Sequence, residues 1–403
     1  MKARRILVCL VALIASHAWG AAPLVIVMSW DGMRYDYPDR AVFPGLTRME
    51  KEGVRAERLV AGWPSSTFPG HVTLATGTWA ATHGIVDNEF LDRKRGRYAY
   101  SSDASWLQAE PLWIAAERQG VHAATYFWVG SETDWHDQHQ QYRIAPFNGE
   151  TPESIKVDQM LAWIDLPADQ RPGLIMAYWH GADTIGHRRG PDSDAVVGQI
   201  FEQDAQLVRL LDGIDARHLW NDTSVIIVSD HGMTALHEFF DLSGYLAEHG
   251  YPARVFGGPG VAHVFLNDVS QLDGALALLS AHPPLEAYRG SELPERFHLA
   301  AKDRVGDLVV VSGPSLPLAY PAWWVRTMYA VLGPVAGVYP GAHGFDPNLP
   351  EMGATLLAMG RGIPKGARIS AVQMIDVAPT IAKLLHIEPP LQSEGKPVPG
   401  IGE

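Results

Sequence analysis

The sequence predicts an α/β fold: a mostly parallel central sheet flanked by helices on both faces, with a small inserted subdomain. Three observations predict it. Short apolar runs at 24–28, 174–178, 225–228, 308–311 and 355–359 show no polar alternation, which marks strands buried on both faces. Stretches with helical spacing lie between them, at 111–119, 154–164 and 196–211, and strands that alternate with helices imply parallel pairing. The region 257–304 is richer in Gly, Pro and His and is read as a smaller appended piece.

The 403-residue chain is expected to form one catalytic domain over 23–403, preceded by a signal peptide over 1–22. Lys2, Arg4 and Arg5 give a positive start, residues 6–14 are apolar, and 18–22 are small. That is the layout of a secretory signal and predicts export to the periplasm or the medium. The apolar run is too short to span a bilayer, and no later stretch qualifies, so no membrane span is expected. The single cysteine, Cys9, lies within this segment, so no disulfide framework is available to the mature chain. Its stability is expected to come from the core and from bound metal. The net charge of −13 becomes more negative without the three signal cations. An acidic surface repels polyanions and argues against binding polymeric nucleic acid. A small anionic substrate is still possible if the site carries its own positive charge, which a pair of divalent cations supplies.

The first apolar run leads into Ser29-Trp30-Asp31-Gly32, the second toward Asp183, and the third into Ser229-Asp230-His231-Gly232. In open parallel sheets, ligands bind beyond the carboxyl ends of the strands. Asp230 and His231 can both face such a site if the strand ends there in a turn at Gly232; the pair also reads as an ordinary polar strand end. Asp183 and His187, four apart, share one side of a helical turn; they also read as a surface ion pair. Asp31-Gly32 alone reads as a plain turn, and His343 in Gly341-Ala342-His343-Gly344 as a solvent-facing loop histidine. Thr67 precedes an apparent helix start and fits an N-cap. A helix N-terminus also favours the negative charge of an alkoxide or phosphate. Together these three aspartates, three histidines and one threonine suffice for two zinc ions. Two such ions about 4 Å apart can hold the attacking and leaving oxygens of an in-line displacement.

The order Asp31, Thr67, Asn88, Asp183-x-x-x-His187, Asp230-His231, His343 resembles the nucleotide pyrophosphatase/phosphodiesterase family of the alkaline phosphatase superfamily. The resemblance runs through Thr67-Phe68-Pro69-Gly70-His71, His83-Gly84-Ile85-Val86-Asp87-Asn88, Asp183-Thr184-Ile185-Gly186-His187, Ser229-Asp230-His231-Gly232-Met233 and His343-Gly344-Phe345-Asp346. It extends to Asp376-Val377-Ala378-Pro379-Thr380 and so covers nearly the whole mature chain. It implies an alkaline-phosphatase-like fold and a two-zinc hydrolase of nucleotide phosphodiester or pyrophosphate bonds that releases nucleoside monophosphates. By resemblance, Asp183, His187 and His343 hold one zinc; Asp31, Asp230 and His231 hold the other, with Thr67 touching it. Thr67 is then the nucleophile and carries a phospho-threonine intermediate, while Asn88 and the amide of Phe68 donate to a phosphate oxygen. The sequence departs from the family at Ala182, where Pro is usual before the aspartate, and at Val129, where Pro is usual in the Phe-Trp-Pro-Gly-Ser stretch. A nucleotide base would stack between Phe68 and Phe147, the latter opening Phe147-Asn148-Gly149-Glu150-Thr151-Pro152. The same metal motifs also fit a phospholipid-type phosphodiesterase and a phosphomonoesterase or phosphonate hydrolase of the superfamily.

Overall fold

A computed structural model describes residues 22–318 and 340–403. Apart from Ala22, the expected signal segment, Cys9 included, lies outside the described residues. The central sheet contains β1 (Leu24–Trp30), β2 (Gly53–Ala56), β3 (Ala123–Tyr126), β4 (Tyr142–Ile144), β5 (Leu174–Trp179), β6 (Thr223–Val228), β7 (Leu356–Gly360) and β8 (Ala367–Ile369). They lie side by side in the order β8-β2-β7-β6-β1-β5-β3-β4. β1 pairs in parallel with β5 on one side and β6 on the other, with Val27 opposite Met176 and Ile226.

Every residue of β1, β5 and β6 is buried, which explains why these runs show no polar alternation. Successive side chains of β1 enter opposite cores. Val25 and Val27 join a core shared with helices Thr67–Thr76, Leu112–Arg118 and Val377–Leu385. Ile26, Met28 and Trp30 join one shared with helices Pro44–Glu52, Glu153–Ile164 and Asp194–Ala216. Burying each Val, Ile or Met side chain contributes about 1.5–3 kcal/mol, so the strand ends are held rigidly. The last helix outruns the expected 196–211 because its buried stripe of Val196, Ile200, Leu207, Leu211 and Ile214 continues for another turn.

Two expectations about the strands need correction. The run at 355–359 does form a central strand, but β7 is antiparallel to both β6 and β2. The run Leu308–Val311 belongs to a different sheet. It pairs antiparallel with Val261–Leu266 and with Glu286–Arg289, and Ala253–Gly257 completes that four-stranded sheet. Leu308 and Val310 pack on Leu246, Ala275 and Leu279, while Val309 and Val311 join the main core. With both faces covered, this antiparallel strand reads like a central parallel one. The small sheet runs from Ala253 to Val311, so it reaches beyond 257–304 at both ends. Among the described residues, no helix is long and apolar enough to cross a membrane.

Candidate active site

The carboxyl ends of β1, β5 and β6 meet at one edge and are stitched together by backbone hydrogen bonds. The Asp31 amide donates to the Trp179 carbonyl at 2.8 Å and the Asp183 amide to the Asp31 carbonyl at 3.0 Å. Gly32 makes this approach possible: it sits at φ +65°, and a Cβ there would lie 2.9 Å from the Asp183 Cα. Gly232 serves a different purpose from the expected turn. A Cβ there would meet the Glu351 carbonyl at 2.1 Å, so glycine is needed for close packing on the segment before β7. Asp183 and His187 lie on helix Gly181–Arg189, one turn apart.

Two groups of three potential metal ligands result: Asp183, His187 and His343, and Asp31, Asp230 and His231. In the first, His187 Nε2 and His343 Nε2 lie 3.2 and 3.7 Å from Asp183 Oδ1. In the second, His231 Nε2 lies 3.3 Å from Asp31 Oδ1 and 3.2 Å from Asp230 Oδ2. Ligands about 2.0 Å from a tetrahedral zinc sit about 3.3 Å from one another, so these separations fit the ion. The His231 and His343 rings stack at 3.6 Å, which places the two groups side by side.

The donor chemistry fits as well. Asp31 Oδ1, Asp183 Oδ1 and Asp230 Oδ2 are buried with no hydrogen-bond partner. The opposite oxygens are held: Tyr178 Oη donates to Asp31 Oδ2 at 2.6 Å, and the Gly32 amide and Ser229 Oγ donate to Asp230 Oδ1 at 3.2 and 3.1 Å. Each histidine points Nδ1 at a backbone carbonyl: His187 at Gly341 (2.7 Å), His231 at Gly232 (2.8 Å) and His343 at Ser65 (3.2 Å). That bond fixes the tautomer and leaves Nε2 free to bind metal. Burial, then the charges of Asp230 and Asp183, push the Asp31 carboxyl well above its usual range, and burial, then His231, pushes His343 well down. Buried carboxylate oxygens without a partner, facing imidazole Nε2 atoms, are what a bound cation stabilises.

Thr67 is the first residue of helix Thr67–Thr76; Ser66, and not Thr67, occupies the N-cap position. Its Oγ1 lies 3.2 Å from His231 Nε2, beside the second group. The Phe68 amide donates to Asn88 Oδ1 at 2.8 Å, and the Asn88 side chain also bonds the Tyr100 side chain. Phe147 is 43% exposed and packs on Phe127, Tyr178 and His180, with ring centroids 5.4–5.6 Å away.

Three neighbours had no role assigned from sequence. His71 Nδ1 donates to the Thr67 carbonyl at 2.8 Å and lies 3.3 Å from Asp230 Oδ2, while Nε2 meets Ser29 Oγ at 2.8 Å. His71 thereby ties the helix that opens with Thr67 to two strand ends, and its position one turn after Thr67 was the available signal. Tyr178 orients Asp31 across the β1–β5 register. Asp87, 1% exposed, accepts from the Asn88 amide at 2.7 Å.

Burial pushes the Asp87 carboxyl up to about 8, against the Asn88 and Gly258 amides and the Ser66 hydroxyl. The unfolded chain releases this proton near 3.8 and the folded chain near 8, so stability falls as pH rises through that window. In Asp87→Asn, the gain in Tm over wild type is expected to grow from about pH 5 to about pH 9. Thermal melts across that range measure it, and a pH-independent difference contradicts it.

A three-layer fold with paired acid–imidazole clusters beside a hydroxyl at a helix start is alkaline-phosphatase-like. A family model described as type I phosphodiesterase / nucleotide pyrophosphatase matches residues 25–346, and the chain belongs to that family. It is 28% identical to a venom phosphodiesterase of Naja atra over 381 residues, 91% of this chain but 44% of that protein. The chain thus spans less than half of the venom enzyme's length. It is 27% identical to a bis(5'-adenosyl)-triphosphatase of Xenopus laevis, covering 91% of this chain and 78% of that one. Murine ectonucleotide pyrophosphatase / phosphodiesterase 5, solved as an inactive threonine-to-alanine variant with AMP, superposes with a TM-score of 0.83 at 27% identity. That match covers 93% of this chain and 97% of the murine one.

Proposed function

We propose that the chain is a two-zinc hydrolase that cleaves phosphodiester or pyrophosphate bonds of nucleotides and releases nucleoside monophosphates through a phospho-threonine intermediate. The observation that carries this reading is two groups of three ligands, side by side, with the Thr67 hydroxyl 3.2 Å from His231 Nε2 of the second. The AMP bound by the murine relative and the triphosphatase activity named for the Xenopus protein support the nucleotide substrate.

Two divalent cations would lower the pKa of the attacking hydroxyl and of water and would neutralise phosphate charge. Thr67 Oγ1 forms a bond to phosphorus as the phosphorus–oxygen bond to the leaving group breaks. Water then attacks phosphorus, the Thr67 O–P bond breaks, and Thr67 regains a proton. Asn88, through its NH₂, donates to a non-bridging oxygen; such a donor is typically worth about 10²–10³ in rate. His71 holds the Thr67 carbonyl and so sets the angle at which the hydroxyl is presented. Phe68 and Phe147 offer ring surfaces to a base. We also propose that the chain is exported, on the strength of residues 1–22.

The test compares nitrophenyl thymidine monophosphate with nitrophenyl phosphate. The diester is expected to be cleaved with a kcat/KM at least about tenfold higher, a difference of about 1.4 kcal/mol. Faster cleavage of the monoester sinks this reading in favour of a phosphatase.

A further inference from the structure

One buried side chain joins segments of both ligand groups without being a ligand of either. Met233 is fully buried, two residues beyond His231, yet it belongs to neither core that flanks the main sheet. Its sulfur fills the space left by two glycines: a Cβ on Gly186 or on Gly341 would overlap Met233 Sδ. Gly186 immediately precedes His187 on their shared helix, and Gly341 lies two residues before His343. The two glycines also face each other, since a Cβ on Gly341 would lie 2.5 Å from the Gly186 carbonyl. The chain that leaves the second group thus sends a thioether between the two segments that carry the histidines of the first.

The wedge is fixed at its own backbone. Arg34 Nη1 donates to the Met233 carbonyl at 3.0 Å. The rest of that guanidinium is held by Asp36 at 2.6 and 2.9 Å and by Asp192 at 2.9 Å, five residues beyond His187. Immediately after the wedge, Thr234 pairs with Ala342 and Ala235 with Gly341, so the chain runs antiparallel beside the approach to His343. The residue types suit this place. Methionine is unbranched and fills narrow, irregular gaps. Gly186 lies inside helix Gly181–Arg189, where alanine is the better helix former, so its glycine answers to the sulfur beside it and not to the helix.

We propose that Met233 is a positioning residue for the first metal group: its side chain sets the spacing between Gly186 and Gly341, and so holds His187 and His343 where one ion can take both. The inference rests on the two-metal reading above and adds to it that a residue of the second group's own segment governs affinity at the first. Groups that orient metal ligands from behind typically change metal affinity by about 10- to 100-fold when they are altered.

Zinc binding to the full chain is measured by competition with a chromophoric chelator. Met233→Ala is expected to weaken one of the two zinc ions by about 10- to 100-fold. In a His343→Ala chain, which lacks a complete first group, adding Met233→Ala is expected to leave the remaining ion within about twofold. Gly186→Ala alone is expected to weaken one ion as well, because its methyl meets the sulfur. The double variant Gly186→Ala/Met233→Ala gives that methyl room, and its affinity is expected to be no lower than that of either single variant. Unchanged zinc affinity in Met233→Ala, an equal loss in the His343→Ala chain, or losses that simply add in the double variant overturn the proposal. Wild-type protein that binds no zinc overturns the reading of the metal centre itself, a distinct outcome.

Discussion

Thr67→Ala is expected to abolish most hydrolysis while leaving the fold and the metal content intact. The Thr67 hydroxyl lies 3.2 Å from His231 Nε2, and the helix start is retained because Ser66 occupies the cap position. Loss of a covalent nucleophile typically costs roughly 10⁴-fold or more in kcat, whereas removing one hydroxyl and one methyl at a helix terminus shifts stability by about 1 kcal/mol. Diester hydrolysis, zinc content and Tm, measured on the same preparation, separate the two effects. Thr67→Ser, which keeps an attacking oxygen, is expected to recover part of the rate. Full activity in the alanine variant would falsify the nucleophile assignment, and loss of zinc or of the cooperative melt would show that Thr67 acts through structure instead.

Removal of metal is expected to have the second largest effect, on rate and on stability together. Without cations the fold must keep Asp31 Oδ1, Asp183 Oδ1 and Asp230 Oδ2 buried with no hydrogen-bond partner, and the Asp31 and Asp230 carboxyls in one group. An ion present at 100 times its dissociation constant stabilises the folded state by about 2.7 kcal/mol, so a pair contributes about 5 kcal/mol. Chelation is therefore expected to remove essentially all diesterase activity and to lower Tm by roughly 10 °C. Added zinc is expected to restore both. A metal-free preparation, verified by elemental analysis, that melts and turns over like the untreated protein contradicts the site.

The residues at the centre were legible because each follows a strand whose burial is written in its composition. Asp31, Asp183, Asp230 and His231 come after runs that could only be interior, and His187 sits one helical turn from Asp183. The partners of these residues were not legible, because pairing across the sheet selects them. Tyr178 reaches Asp31 only because β5 lies beside β1 in a register that sets Tyr178 opposite Ser29. Tyr100 approaches Phe68 through a left-handed turn that its own side chain disfavours. Strand direction was hidden for a related reason: Leu308–Val311 and β7 are as apolar as the parallel strands, since burial on both faces dictates composition whichever way the chain runs.

The reversal of β7 has an architectural consequence. Leu356 lies opposite Val228, so the chain quits the sheet after β6 and returns over the same rim. Among the described residues, those between 229 and 355 therefore form one arch planted on adjacent footings. Asp230 and His231 stand at its departure, His343 near its return, and the small sheet forms its span. An arch of this kind can be lengthened, trimmed or reshaped at its crown while both footings stay in place. Variation in what the site accepts can thus arise above the cluster without moving a single strand beneath it.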